Sequence, residues 1–144
     1  MKVRHNVRAV LVDGGQLVFL RRRWPGGSPY CTTVGGGVEP YDADLAAALR
    51  REVMEEIGAT IGAATEFLTL TEPGERVTVV AHYFRAEILD VDPNRRGGPE
   101  LDNPETGDFF PVRVAREMSA VVALDLQPPL LADYLREHPT TWSA

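Results

Sequence analysis

The chain has 144 residues, a formal net charge of −6 and 44% hydrophobic residues. This length and composition fit one globular domain over residues 1–144. The acidic balance excludes duplex nucleic acid as an expected partner, because such binding needs a basic surface. No apolar run reaches the ~20 residues of a membrane span, and the chain start lacks a secretory signal, so we expect a cytoplasmic protein without a membrane partner. A single cysteine, Cys31, excludes an intramolecular disulfide.

The first part of the chain predicts strands separated by turns. Asp13-Gly14-Gly15 is a hairpin signal, and Arg21 to Pro29, with its Pro-Gly-Gly sequence, is expected to be a loop. Gly35-Gly36-Gly37 predicts a turn with unusual backbone angles. The predicted strands in this part are rich in β-formers and comprise Val7 to Val12, Leu17 to Leu20 and Thr32 to Val34.

Asp44 to Ile57 predicts a helix, because strong helix formers dominate it and Gly58 suits the position after its end. Asp42 and Asp44 are both candidates for the N-terminal cap. On a helical wheel, three glutamates fall within an arc of roughly 100°: Glu52, Glu55 and Glu56. They flank an apolar stripe made of Ala46, Leu49, Val53 and Ile57.

The second half predicts further strands, a long loop and a last helix. Glu66 to Thr71 and Arg76 to Leu89 are expected to pair as a hairpin around Pro73-Gly74. Asp90 to Asp108 is a polar loop of a length that is often functional. Asp108 to Val112 predicts a short strand, and Pro128 to His138 a helix. The order of elements predicts a mixed α/β fold with helices packed on a sheet.

Clustered carboxylates on a helix repel one another, by roughly 0.2–0.5 kcal/mol per pair at an exposed site. Near a core the repulsion grows unless a cation compensates it, and Mg2+ prefers oxygen ligands. Glycine allows the backbone to approach such an ion closely. The alternative is a solvated acidic face, which an isolated Glu-x-x-Glu-Glu would favour. The choice between a metal site and a solvated acidic face therefore depends on whether the glutamates and the glycines occur together at a characteristic spacing.

The spacing of these residues resembles the Nudix box, G-x5-E-x7-R-E-U-x-E-E-x-G-U, where U is aliphatic. Residues 51–59 match its second half without a gap, and Gly36 matches its opening glycine. Asp42 stands where the box has its first glutamate, and eight residues instead of seven precede Arg51. A register from Gly37 restores the seven but places Ala43 at the glutamate position. We prefer the register from Gly36, since an extra loop residue costs little.

The resemblance implies a Nudix-type α/β/α sandwich, with a mixed sheet flanked by helices, and a metal-dependent hydrolase. The implied substrate is a nucleoside diphosphate linked to another group, cleaved at its diphosphate linkage. The implied cofactor is Mg2+ or Mn2+, held by Gly36 or Gly37 through a carbonyl and by Glu52, Glu55 and Glu56. Glu52 is also the implied catalytic base, and Arg51 would orient the glutamates. A non-catalytic nucleotide-binding or sensor domain is the alternative.

Outside the box, the resemblance implies a further metal ligand from the loop after the long strand. Glu100 is the preferred residue, Glu105 its competitor and Asp102 a weaker one, while a water-exposed acid is the alternative. The substrate-binding candidates are Arg23, Trp24 and Tyr83, with Tyr30 and Phe84 as further rings for stacking; each ring is also a candidate for core or rim. We expect a small-molecule partner, and the sequence leaves a homodimer open.

Overall fold

Eight strands form one mixed sheet in the computed structural model, which describes residues 2–143. The strands are β1 (Lys2–Asp13), β2 (Gln16–Arg23), β3 (Tyr30–Thr32), β4 (Val34–Gly37), β5 (Ala59–Ile61), β6 (Thr65–Pro73), β7 (Val77–Val91) and β8 (Asp108–Ala115). The α-helices are α1 (Leu45–Ile57), α2 (Met118–Val122) and α3 (Pro129–Glu137). Short 3-10 helices lie at Pro93–Arg95, Pro104–Thr106 and Pro139–Thr141.

The parallel pairing of β1 with β7 forms the centre of the sheet, in a register that runs from Lys2 opposite Val77 to Val12 opposite Glu87. All other strand pairs are antiparallel. The order across the sheet is β3-β2-β1-β7-β5, with β4 also paired to β1, β6 to β7 and β8 to β2. Because β4 pairs with the first half of β1, it lies on the same sheet as the central strands and beneath α1.

Alternation along β1 and β2 divides the core between the two faces of the sheet, since successive strand side chains point to opposite sides. On one face, Val7, Ala9 and Leu11 pack in a cluster with the apolar stripe of α1. On the other face, Val10 and Val12 pack with residues of α2, α3 and the C-terminal segment: Val121, Leu131, Leu135 and Trp142. The predicted mixed sheet flanked by helices, an α/β/α sandwich, is confirmed.

The predicted helix is confirmed as α1, and its ends follow the capping rules. The Asp44 carboxylate accepts a hydrogen bond of 2.7 Å from the Ala47 amide, which makes Asp44 the N-cap. Gly58 takes the left-handed conformation at φ 69°, and its amide donates to the Met54 carbonyl. The hairpin of β6 and β7, the strand β8 and the last helix α3 also lie where the sequence predicts them.

Several boundaries differ from the predictions. β2 continues through Arg23 into the expected loop, because its last residues pair with both β3 and β8. The expected strand at Thr32 to Val34 is two strands that are separated at Thr33. Strand β5 and helix α2 were not predicted, and the expected loop from Asp90 contains two 3-10 helices. No helix within residues 2–143 has the length and apolar character that crossing a membrane requires.

Candidate metal centre and substrate pocket

The glycine triplet lies in strand β4, so the predicted turn at Gly35-Gly36-Gly37 is wrong, while the predicted unusual backbone angle is present at Gly35, with φ 154°. At Gly36 a glycine leaves room for the helix, because a Cβ atom there would lie 2.5 Å from Oε2 of Glu52. Only a residue without a side chain lets α1 bring its carboxylates this close to the strand. The backbone of the glycine strand therefore packs directly against the acidic face of the helix.

Two of the three helical glutamates are buried against the glycine strand. Glu52 is 7% exposed and Glu56 is 4% exposed. The Gly35 amide donates a hydrogen bond of 2.7 Å to Oε1 of Glu56. Burial raises the pKa of Glu56 to about 8, although Arg8 and the Gly35 amide oppose the rise. Burial likewise raises the pKa of Glu52, so negative charge at this place is poorly compensated by the protein alone.

Arg51 connects the helix, the glycine strand and the preceding loop. Its Nη1 donates to Oε1 of Glu52 at 2.9 Å and to Oε2 of Glu55 at 3.4 Å. Its Nη2 donates to the Gly37 carbonyl at 2.9 Å and to Oδ2 of Asp42 at 2.8 Å, and its Nε to Oδ1 of Asp42 at 3.0 Å. The hydrogen bonds to Asp42 are the main cause of a raised pKa at Arg51, which stays charged. Arg51 therefore contacts two of the three helical glutamates, and the Gly37 carbonyl accepts a hydrogen bond from it.

Asp42 takes the place of the first glutamate of the box. Its carboxylate forms the paired hydrogen bonds with Arg51 and also accepts from the Glu39 amide at 2.8 Å. The hydrogen bond from Arg51 is the main reason why the pKa of Asp42 lies below its ordinary value. The longer loop before the helix brings this shorter side chain to Arg51, which supports the register that begins at Gly36.

Glu100 lies in the middle of the loop that follows β7, within electrostatic reach of the buried glutamates. Its charge adds to the raised pKa of both Glu52 and Glu56, after the larger effect of burial. The loop is attached to α1 at this point, because the Gly97 amide donates to the Glu55 carbonyl at 2.9 Å. Neither competitor has this position: Glu105 and Asp102 are exposed to water and add nothing to these pKa shifts.

The donor set of the site suits a hard divalent ion. It consists of carboxylates beside a glycine strand, and the burial of Glu52 and Glu56 leaves negative charge that a cation would compensate. Among residues 2–143, no three His, Cys, Asp or Glu side chains already surround one point. Arg51 donates to Glu52 and Glu55, and the Gly35 amide donates to Glu56.

A cavity of about 420 Å³ opens next to the carboxylates. It is lined by basic, aromatic and acidic side chains and by the glycine strand, chiefly Arg4, Arg8, Arg22, Trp24, Tyr30, Gly36 and Glu100. Its arginines belong to β1 and β2, and its rings, Trp24 and Tyr30, to the segment after β2 and to β3. The pocket therefore places groups that suit phosphates and flat rings next to groups that suit a cation.

The structure brings only some of the predicted substrate-binding residues into this pocket. Trp24 lines it, is 43% exposed, and donates from Nε1 to the Tyr30 hydroxyl at 2.7 Å. Tyr83 is 3% exposed, packs in the core and reaches an adjoining cavity of about 270 Å³. Phe84 belongs to the core on the α1 side.

Arg23 does not line the pocket, whereas its neighbour Arg22 does. Arg23 is exposed and faces a separate depression beside Gly107. Sequence reasoning missed Arg22 because it placed both arginines in a loop. The signal was present in the strand alternation, since Leu20 and Arg22 share one face of β2 and Arg21 and Arg23 the other.

Comparison with known proteins gives the family. The model of the NUDIX domain matches residues 2–128, so the chain belongs to the Nudix family. Its fold is similar to a NUDIX hydrolase from Nitrosomonas europaea, with a TM-score of 0.72, 16% identity and coverage of 99% of this chain and 93% of that chain. It is also similar to a MutT NUDIX hydrolase from Burkholderia pseudomallei, with a TM-score of 0.62, 19% identity and coverage of 95% and 98%.

A third solved structure, the MutT protein from Methanosarcina mazei Go1, gives a TM-score of 0.63 at 20% identity and covers 94% of this chain and 92% of that chain. None of the curated proteins matches the sequence significantly. The predicted Nudix resemblance is thus confirmed for the family and for the fold.

The contact between Arg51 and Asp42 predicts a stability effect that depends on pH. Asp42→Asn removes a charged acceptor, and we expect the free energy of unfolding near pH 7 to fall by about 1–3 kcal/mol. Because the folded state lowers the pKa of Asp42 below 3.8, this stabilisation is present above that value and is lost as the pH falls through the folded-state pKa. Urea unfolding near pH 7 and below about pH 4 measures it.

Asp102→Asn is the matched control, since Asp102 is exposed and its loss should change stability little. An Asp42→Asn effect that is equally large at both pH values would show that the charge of Asp42 is not what stabilises the fold.

Proposed function

We propose that the protein is a pyrophosphohydrolase that requires Mg2+ or Mn2+ and cleaves the diphosphate linkage of a nucleoside diphosphate joined to another group. The observation that carries this proposal is the burial of Glu52 and Glu56 against the glycine strand. Two buried carboxylates without a neutralising cation destabilise a fold, so their position is best explained by an ion that the protein binds in function.

Glu52, Glu55, Glu56 and Glu100 are the proposed ligands, together with the Gly36 carbonyl. Gly36 is preferred to Gly37 because the Gly37 carbonyl already accepts from Arg51. When bound, the ion supplies Lewis-acid chemistry, activating water and neutralising negative charge on the phosphates. Glu52 either contributes to binding this ion or takes the proton from the attacking water. Burial raises the pKa of Glu52 above its ordinary value, which makes it a stronger proton acceptor than an exposed glutamate.

The remaining groups orient the glutamates and bind the substrate. Arg51 contacts two glutamates and fixes their angle to the glycine strand. The arginines of the pocket offer donors to phosphate oxygens, and Trp24 offers an exposed ring to a base. A small phosphorylated molecule is therefore the proposed substrate. A non-catalytic sensor is not favoured, because the three glutamates in the second half of the box are retained.

The activity should depend on a metal ion. Cleavage of a panel of nucleoside diphosphate derivatives, measured as formation of the nucleoside monophosphate, should require Mg2+ or Mn2+, stop in excess EDTA and return when the ion is restored, because the donor set consists of oxygens. Full turnover in EDTA would contradict the mechanism. A nucleotide that binds without turnover under either ion would favour the sensor alternative.

Single substitutions in the helix should separate catalysis from folding. Glu55→Gln and Glu56→Gln should each lower kcat by about 100-fold or more, since each removes charge that holds the ion. The metal-free variants should be as stable as the parent or more stable, because like-charge repulsion and the cost of burying Glu56 are relieved. Steady-state kinetics and thermal unfolding measure the two effects.

Glu137→Gln, the same change at an exposed position of α3, should alter neither quantity. Near-parental turnover in either helical variant would remove that glutamate from the proposed site.

Glu100→Gln should lower the rate mainly when metal is limiting, because the helical glutamates still hold part of the ion's charge. The concentration of Mg2+ at half-maximal activity should therefore rise, while the rate at saturating Mg2+ falls less. Glu105→Gln is the matched control in the same loop and should leave both values unchanged. If the two variants give the same Mg2+ curve as the parent, Glu100 is a residue of the pocket rim.

A further inference from the structure

Arg22 occupies an unusual position for a charged side chain. It is 7% exposed, and its guanidinium carbon lies 4.1 Å from the centre of the Trp24 ring and 5.1 Å from that of Phe109. Both rings attract the cation and restrict its movement. Arg22 also lines the pocket, so a ligand bound there lies next to its guanidinium.

The protein satisfies these donors poorly. Within residues 2–143, Nε of Arg22 is buried without any hydrogen-bond partner. Nη2 makes two long contacts, 3.3 Å to Oε2 of Glu100 and 3.4 Å to the Thr106 carbonyl. A buried guanidinium normally has its donors paired, because an unpaired one costs free energy. The Arg22 guanidinium therefore has donor capacity that the described residues do not use.

Glu100 is the one charged partner of Arg22 among the described residues, and it is held loosely. Its side chain is 47% exposed, so water competes for this ion pair. The same carboxylate lies within electrostatic reach of Glu52 and Glu56, which repel it. Glu100 is thus attracted by Arg22 on one side and repelled by Glu52 and Glu56 on the other.

We infer that Arg22 is an anion-binding group for a phosphate oxygen of the substrate, and that Glu100 occupies it in the metal-free protein. When Glu100 turns to an ion at the helical glutamates, Arg22 is released, so metal binding and anion binding strengthen each other. The inference rests on the proposed function for the role of Glu100, and it extends that function to an order of events: the pocket becomes ready for phosphate only when its metal site is filled.

A double-mutant cycle tests this without turnover. Inorganic phosphate is titrated into the metal-free protein, and binding is followed by the fluorescence of Trp24, which contacts Arg22. Glu100→Gln should tighten the Kd for phosphate by about fivefold or more, because Arg22 loses its internal competitor. In an Arg22→Gln background the same Glu100→Gln change should give no gain. A Trp24→Phe variant, which leaves Trp142 in place, shows which part of the signal belongs to Trp24.

Two control variants separate this coupling from general charge effects. Glu105→Gln removes an exposed negative charge from the same loop, and Arg23→Gln a positive charge from the opposite side of the same strand. Neither should change the Kd for phosphate by more than about twofold. Circular dichroism tests whether Arg22→Gln is folded. If it is unfolded, the comparison of the phosphate Kd between Glu100→Gln and Glu105→Gln still tests the inference.

A gain from Glu100→Gln that persists without Arg22, or that equals the gain from Glu105→Gln, would overturn the inference. The proposed function is tested separately by Mg2+-dependent hydrolysis in the parent protein. If the parent protein hydrolyses its substrate but the Glu100→Gln gain does not depend on Arg22, only the exchange between Arg22 and Glu100 is wrong. If the gain depends on Arg22 but no hydrolysis occurs, only the proposed activity is wrong.

Discussion

The site depends on one guanidinium group, that of Arg51, which joins three separate pieces of the chain. It contacts the loop through Asp42, the strand through the Gly37 carbonyl and the helix through Glu52 and Glu55. A planar fork with fixed donor directions can hold several acceptors at defined angles, which a lysine ammonium cannot. Arg51 therefore sets the shape of the acidic site before any ion binds. A single positive charge does not balance the carboxylates around it, and that imbalance is what an incoming cation would meet.

The charges of the site are separated into two halves. The buried carboxylates belong to α1 and the arginines of the pocket to β1 and β2, and the glycine strand lines the same pocket. A ligand that carries both an anionic phosphate and a divalent cation complements this arrangement, since each half supplies the opposite charge. The acidic net charge of the chain therefore does not oppose binding of a phosphorylated molecule, because the local charge of the pocket differs from the total. The buried position of Arg22 between two rings belongs to the same arrangement.

The helix could be predicted from the sequence, because capping, helix propensity and the wheel are all local properties. Asp44, Gly58 and the common arc of the glutamates follow from residues within one or two turns of each other. The glycine triplet could not be predicted in the same way. Glycine permits both unusual torsions and close approach, and only the distance from Gly36 to Glu52 decides that close approach is its role here. The choice between Arg22 and Arg23 likewise depends on where β2 ends, which pairing with β3 and β8 determines.

The central pairing of β1 with β7 has a consequence for the order in which the protein is made. Lys2 pairs with Val77 and Val12 with Glu87, so each paired residue of β1 has its partner 75 positions later in the chain. At a synthesis rate of about 5–20 residues per second, β1 leaves the ribosome about 4–15 s before its partner. During this interval one edge of β1 has no neighbouring strand, a state that invites pairing with other chains. The pace of translation, more than the stability of the finished sheet, therefore sets the earliest moment at which the glutamates, the glycine strand and the arginine pocket can come together.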